Sequence, residues 1–153
     1  MEARPAPTES AADAQRSIVD SFAFFEDWTE RYQYLIELGR QLPPFPETKQ
    51  IEANRMHGCQ SGVWIVADYR NGRLDFEATS DSAIVAGIIA LLLKVYSGRR
   101  PDEVLAISPD FIDEIGLAEH LSPHRANGLA LMLARIRKFA EAHLSDDLAG
   151  GGA

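Results

Sequence analysis

Apolar residues recur at helical spacing at Ile18, Val19, Phe22 and Phe25, which predicts a first helix over residues 10–25. Asp27 then opens Asp-Trp-Thr-Glu, where its carboxylate is placed to cap the amide of Glu30 and Glu30 to reach back. A second helix follows with the stripe Trp28, Tyr32, Leu35, Ile36 and Leu42, read as core, and Pro43, Pro44 and Pro46 forbid its continuation. The period changes at Val63, where an apolar run to Arg70 reads as a strand. Asn71-Gly72 is a type I′ hairpin signal, because both residues tolerate positive φ. Beyond it, Leu74 and Phe76 alternate with Arg73, Asp75 and Glu77, so the returning strand over 73–78 buries one face. Ser80-Asp81-Ser82 supplies capping oxygens, of which Asp81 is expected to cap the next helix. That helix, 83–96, is apolar almost all round and belongs at the centre of the molecule.

Short helices are predicted after Pro101 and Pro109, the second stopping at Gly116, and a long last helix after Ser122-Pro123 carries Leu129, Met132, Leu133, Ile136 and Phe139. Helices thus stand before and after one compact hairpin. The expected class is α+β, a small antiparallel β-sheet packed by helices, because the units do not alternate as βαβ. Residues 1–9 are expected as a disordered tail, 10–145 as a single domain and 146–153, ending in Gly-Gly-Gly-Ala, as a flexible tail.

Composition narrows the function classes. A net charge of -8 repels a phosphate backbone, so nucleic acid is not an expected partner. Neither a signal peptide nor an uncharged membrane-length segment is visible, and a cytoplasmic location without membrane contact is the expectation. The chain holds 1 cysteine, which excludes an internal disulfide and a multi-thiolate metal site within one chain. His120 and His124 are four apart, but Ser122-Pro123 breaks the helix between them, and His57 with Cys59 would give only two ligands. No bound metal or other cofactor is expected.

The lone thiol, Cys59, sits in Asn54-Arg-Met-His-Gly-Cys-Gln-Ser-Gly-Val-Trp64, between Gly58 and Gly62 and just before the first strand. Glycine, glutamine and serine neighbours suit a loop tip better than a packed core. Three uses of such a thiol stand open: a cysteine hydrolase or transferase with a histidine base, sulfur or thiol exchange with another protein, and no chemistry at all, as in a docking adaptor. At an ordinary pKa near 8.5 only about 3% of the thiol is thiolate at neutral pH. Arg55, His57 or Arg125 would raise that fraction, but nucleophilicity falls as the pKa falls, so the net gain is only about two- to threefold. Exchange therefore requires a docked partner to supply the positioning.

The cysteine segment resembles the cysteine-loop motif of the SufE/CsdE family. Glu30-Arg-Tyr-Gln-Tyr-Leu-Ile-Glu-Leu-Gly-Arg-Gln-Leu-Pro43, Ser80-Asp-Ser-Ala-Ile-Val-Ala-Gly-Ile-Ile-Ala-Leu-Leu91 and Leu121-Ser-Pro-His-Arg-Ala-Asn-Gly-Leu129 are similar to further family segments, in the family's order. The resemblance implies a fold like that of the iron–sulfur cluster scaffold and a sulfur acceptor in cluster assembly. Cys59 would take the terminal sulfur of a persulfide on a cysteine desulfurase, stimulate that enzyme, and pass the sulfur to a downstream scaffold protein. Pyridoxal phosphate would reside on the desulfurase and no cofactor on this chain. Arg125 matches a basic position at the desulfurase interface, Gln60 and Ser61 match the loop beside the thiol, and homodimers occur in the family. Two positions depart from the pattern: Gly62, where a larger polar residue is frequent, and His124, where a smaller one is.

Overall fold

The computed structural model describes residue 7, residues 9–59 and residues 61–150, with side chains placed to residue 145. Helix α1 spans Ala11–Phe24, capped by Ser10, whose hydroxyl accepts the Asp13 amide at 3.1 Å, and buries Ala14, Ile18 and Phe22 at four-residue spacing. Helix α2 spans Trp28–Arg40, and Asp27 caps it by accepting the Glu30 amide at 2.9 Å. Of the predicted α2 stripe only Leu35 is fully buried. Trp28 and Tyr32 are half-exposed at its start: Trp28 stacks on His120 at 3.9 Å between ring centres, and the Tyr32 hydroxyl donates to the His120 carbonyl.

Two short 3-10 turns, Glu47–Lys49 and Glu52–Asn54, lead to β1 (Val63–Arg70) and β2 (Arg73–Ser80). The strands pair antiparallel from Val63 opposite Ser80 to Arg70 opposite Arg73, and the two-residue turn has φ of 55° at Asn71 and 78° at Gly72. Val63, Ile65, Leu74, Phe76 and Ala78 form the buried face. Both edges are partly covered, Leu74 bridging to Arg99 and Trp64 to Arg55.

Helix α3 (Ala83–Tyr96) lies across the buried face and supplies eight buried residues. It approaches α2 backbone to backbone: a Cβ on Gly87 would fall 2.2 Å from the Leu35 carbonyl oxygen, and one on Gly39 2.7 Å from the Gly87 nitrogen. Only glycine fits such a crossing. Helices α4 (Pro101–Ala106), α5 (Asp110–Glu114) and α6 (Leu117–His120) wrap the core through Val104, Phe111, Ile112, Ile115 and Leu117. Gly116, at φ 72°, separates α5 from α6, a short helix that the sequence pattern does not announce. The last helix, α7 (Pro123–Gly150), buries Leu129, Met132, Ile136 and Ala140.

Of the expected N-terminal tail, Glu9 is in contact with the body. The buried Arg99 guanidinium donates to the Glu9 carbonyl at 2.7 Å and to the Val95 carbonyl at 3.2 Å. The backbone of 146–150 continues α7.

Candidate functional site

The loop of the lone cysteine is a reversal closed by the backbone. Met56 donates its amide to the Val63 carbonyl at 2.8 Å, so the chain is held together where the loop begins and where β1 starts. Gly58 has φ 93°, a conformation a side chain resists, and its carbonyl accepts from the Asn127 amide group at 3.4 Å. At the other end Gly62 is gripped from both sides. Its amide donates to the Asp81 carboxylate at 3.0 Å, while its carbonyl accepts the Ser80 hydroxyl at 2.7 Å and the Asp81 amide at 3.2 Å. A Cβ on Gly62 would lie 2.7 Å from both Asp81 Oδ2 and the Trp64 ring, so this packing has no room for a larger residue.

The expectation that Asp81 caps α3 is corrected here. Ser82 takes that role, its hydroxyl accepting the Val85 amide at 3.4 Å, because Asp81 is drawn to the Gly62 amide instead.

Cys59 is half-buried against α7, its sulfur 3.6 Å from where a Cβ on Gly128 would stand. It opens into a cavity of about 200 Å³. The loop contributes Cys59 and Ser61, while Val63, Val85 and Met132 form an apolar floor. The start of α7 contributes Ser122, His124, Arg125 and Gly128. Ser122, His124 and Arg125 are exposed, so the cavity's rim meets solvent. Among the described residues the Arg125 guanidinium has no ion pair, and no imidazole is hydrogen-bonded to the sulfur. Burial pushes the Cys59 thiol above the ordinary cysteine range, which keeps it protonated at neutral pH.

The residues expected to bind the partner or support the thiolate divide. Ser61 and Arg125 line the cavity, and Gly58 shapes the loop. Arg55 instead lies over Trp64, its guanidinium carbon 5.6 Å from the ring centre, and bridges to the strand edge. His57 is exposed and pairs with Glu52 at 3.2 Å. Neither lines the cavity, and among the described residues burial is the cause acting on the thiol pKa. Gln60 lies outside the described residues. Residue-level reading does not assign roles in the site to Ser122, His124, Gly128, Val85 and Met132. The signal is present in part: Arg125, Gly128 and Met132 are spaced three and four apart, one face of a helix. Among the described residues no group of three or more His, Cys, Asp or Glu is arranged to hold a metal ion.

The chain has recognisable relatives. Residues 16–140 match the family described as SufE, Fe-S metabolism associated domain. An uncharacterized SufE-like protein of Rhizobium meliloti (strain 1021) is 45% identical over 132 residues, covering 83% of this chain and 94% of the relative. A second from Rhizobium etli is 43% identical over 129 residues, covering 81% and 87%. The solution structure of a hypothetical protein from Thermus thermophilus superimposes with a TM-score of 0.72 at 25% identity, over 92% of this chain and 99% of that one.

Proposed function

Because the chain belongs to the SufE family of iron–sulfur metabolism, we propose that it is the sulfur acceptor and activator of a cysteine desulfurase, with Cys59 as the accepting nucleophile. The observation that carries this reading is the placement of the chain's single thiol in a solvent-reaching cavity beside Arg125, which among the described residues has no ion pair, and with no described imidazole on the sulfur. A self-sufficient cysteine hydrolase needs a base that activates the thiol. Here burial does the opposite.

The transfer is an exchange between sulfurs. The Cys59 thiolate attacks the outer sulfur of a persulfide on the partner's cysteine, a new S–S bond forms at Sγ, and the partner's S–S bond breaks. The departing electron pair stays on the partner as a thiolate, so no external oxidant or reductant is consumed. The Cys59 proton leaves to solvent or to the departing thiolate. Since the free thiol is held protonated, the rate rests on the docked complex, where effective concentrations reach about 10⁵–10⁸ M for well-oriented groups. Arg125 and His124 on the rim present the docking surface, and the pyridoxal phosphate of the reaction belongs to the partner. The loaded Cys59 then delivers its sulfur to a cluster scaffold, in the cytoplasm.

Intact-mass measurement after incubation with a desulfurase and L-cysteine tests the assignment. One added sulfur, absent from Cys59→Ser, is expected together with loss of stimulation in that variant. An adaptor acting by docking alone would keep its stimulation without the thiol. Absence of any Cys59-dependent adduct overturns the acceptor reading.

A further inference from the structure

The sulfur of Cys59 rests against the one point on the cavity face of α7 that carries no side chain. Gly128 is buried there, three residues after Arg125 and four before Met132. Nothing in the backbone asks for glycine at this point. It does not have positive φ, and it lies inside a long helix, where glycine is among the least favourable residues.

Packing does not ask for it either. Among the described residues a Cβ on Gly128 would meet one heavy atom within 4 Å outside its own helix backbone, the Cys59 sulfur at 3.6 Å, an ordinary contact. Other glycines of this chain differ in that respect, since those at 39, 62 and 87 would each drive a Cβ to within 3.0 Å of its surroundings. The free thiol therefore tolerates alanine at 128.

The thiol carrying a second sulfur is a different object. The added atom is bonded at about 2 Å and needs neighbouring carbons at about 3.5 Å or more. A methyl group standing 3.6 Å from Sγ removes the space on the helix side of the sulfur, where cavity and helix meet. We propose that Gly128 is the residue that admits the transferred sulfur: the missing side chain keeps open the part of the cavity in which the outer sulfur of the Cys59 persulfide lies. This rests on the acceptor reading. It adds a specificity-determining residue that contacts the outer sulfur without taking part in its chemistry.

The substitution Gly128→Ala separates this role from a structural one. Alanine improves helix propensity and meets only an ordinary contact, so the thermal midpoint of the thiol form stays level or rises. The buried position leaves the docking surface unaltered. Wild type and variant are incubated with a desulfurase and L-cysteine and weighed intact. In parallel both react with methyl methanethiosulfonate, which transfers its methylthio sulfur to a thiolate and releases methanesulfinate.

The expected result is about tenfold less sulfur retained on the variant, and about tenfold slower reaction with the reagent. That size corresponds to one extra methylene-sized group in a packed site. In denaturant the two rates coincide. Equal sulfur loading and equal reagent rates in the folded proteins overturn the proposal. Failure of the wild type to take sulfur from the desulfurase overturns the acceptor reading instead, and the reagent rates still decide whether Gly128 makes room for a second sulfur.

Discussion

The carboxylate of Asp81 accepts the backbone amide of Gly62 at 3.0 Å, and the next residue, Ser82, caps α3. One short segment thereby fixes both the exit of the cysteine loop and the start of the central helix. Replacing Asp81 with alanine removes the acceptor from a part-buried amide, a loss of about 1–2 kcal/mol for a hydrogen bond of this kind. The thermal midpoint is expected to fall by several degrees and alkylation of Cys59 by iodoacetamide to accelerate severalfold, because the loop loses one of its holds. An unchanged alkylation rate would show that this bond does not hold the thiol in place.

The pH profile of the same alkylation reports the burial of the sulfur. Its midpoint in the folded protein should lie above the ordinary thiol value of about 8.5 and return to it in denaturant. The stability consequence has a definite sign. With its folded pKa raised, the native state binds the Cys59 proton more tightly, so this contribution is fully present below the unfolded pKa. It is lost as pH rises through the folded one. Denaturation of Cys59→Ser should show a smaller loss of stability over that alkaline range than wild type.

Arg125 is predicted to serve the encounter with the desulfurase and not the acidity of the thiol. Arg125→Ala should lower sulfur transfer from the desulfurase about tenfold or more, while the alkylation profile of Cys59 and the thermal midpoint hold. Substitutions at exposed positions like this one usually change stability by less than about 0.5 kcal/mol. A shifted alkylation midpoint in the variant would return Arg125 to the role of thiolate supporter.

Gly87→Ala should be the most damaging single methyl in the chain. A Cβ 2.2 Å from the Leu35 carbonyl oxygen forces α2 and α3 apart. A loss of about 3 kcal/mol or more is expected in equilibrium denaturation, at the upper end for overpacking. The contrast with Gly128→Ala, which should leave stability level or raised, tests whether the two glycines serve different purposes.

Much of the fold was legible in the sequence because its signals are local. Asn71-Gly72 marks its own turn, and the all-round apolar character of 83–96 places α3 at the centre whatever surrounds it. The stripe of α2 packs on the core as its spacing implies, with Leu35 fully buried and Trp28 and Tyr32 at the core's edge. Their contacts with His120 were not legible, because that residue lies far along the chain. Asp81 and Ser82 are both good caps, and a long-range contact to Gly62, nineteen residues back, decided between them. The site was legible as a loop with a thiol, but not as a cavity, since its second wall comes from the first turns of α7. Arg55 and His57 stand near Cys59 in sequence, and neighbours beyond the loop claim them both.

The backbone crossing of α3 and α2 has a consequence for how this site exchanges hydrogen with solvent. Val85, in the cavity floor, lies on α3 two residues from the Gly87 contact, so its surroundings belong to the most tightly joined part of the molecule. Amides in the body of α3 should open only with global unfolding, whereas those of His57, Gly58 and Cys59, where the described residues give a long exposed bond at Gly58, should exchange by local opening at far lower free energy. The α3 part of the floor beneath the sulfur and the loop that carries it then belong to two separate cooperative units, and a partner that draws the loop outward leaves Val85 in place.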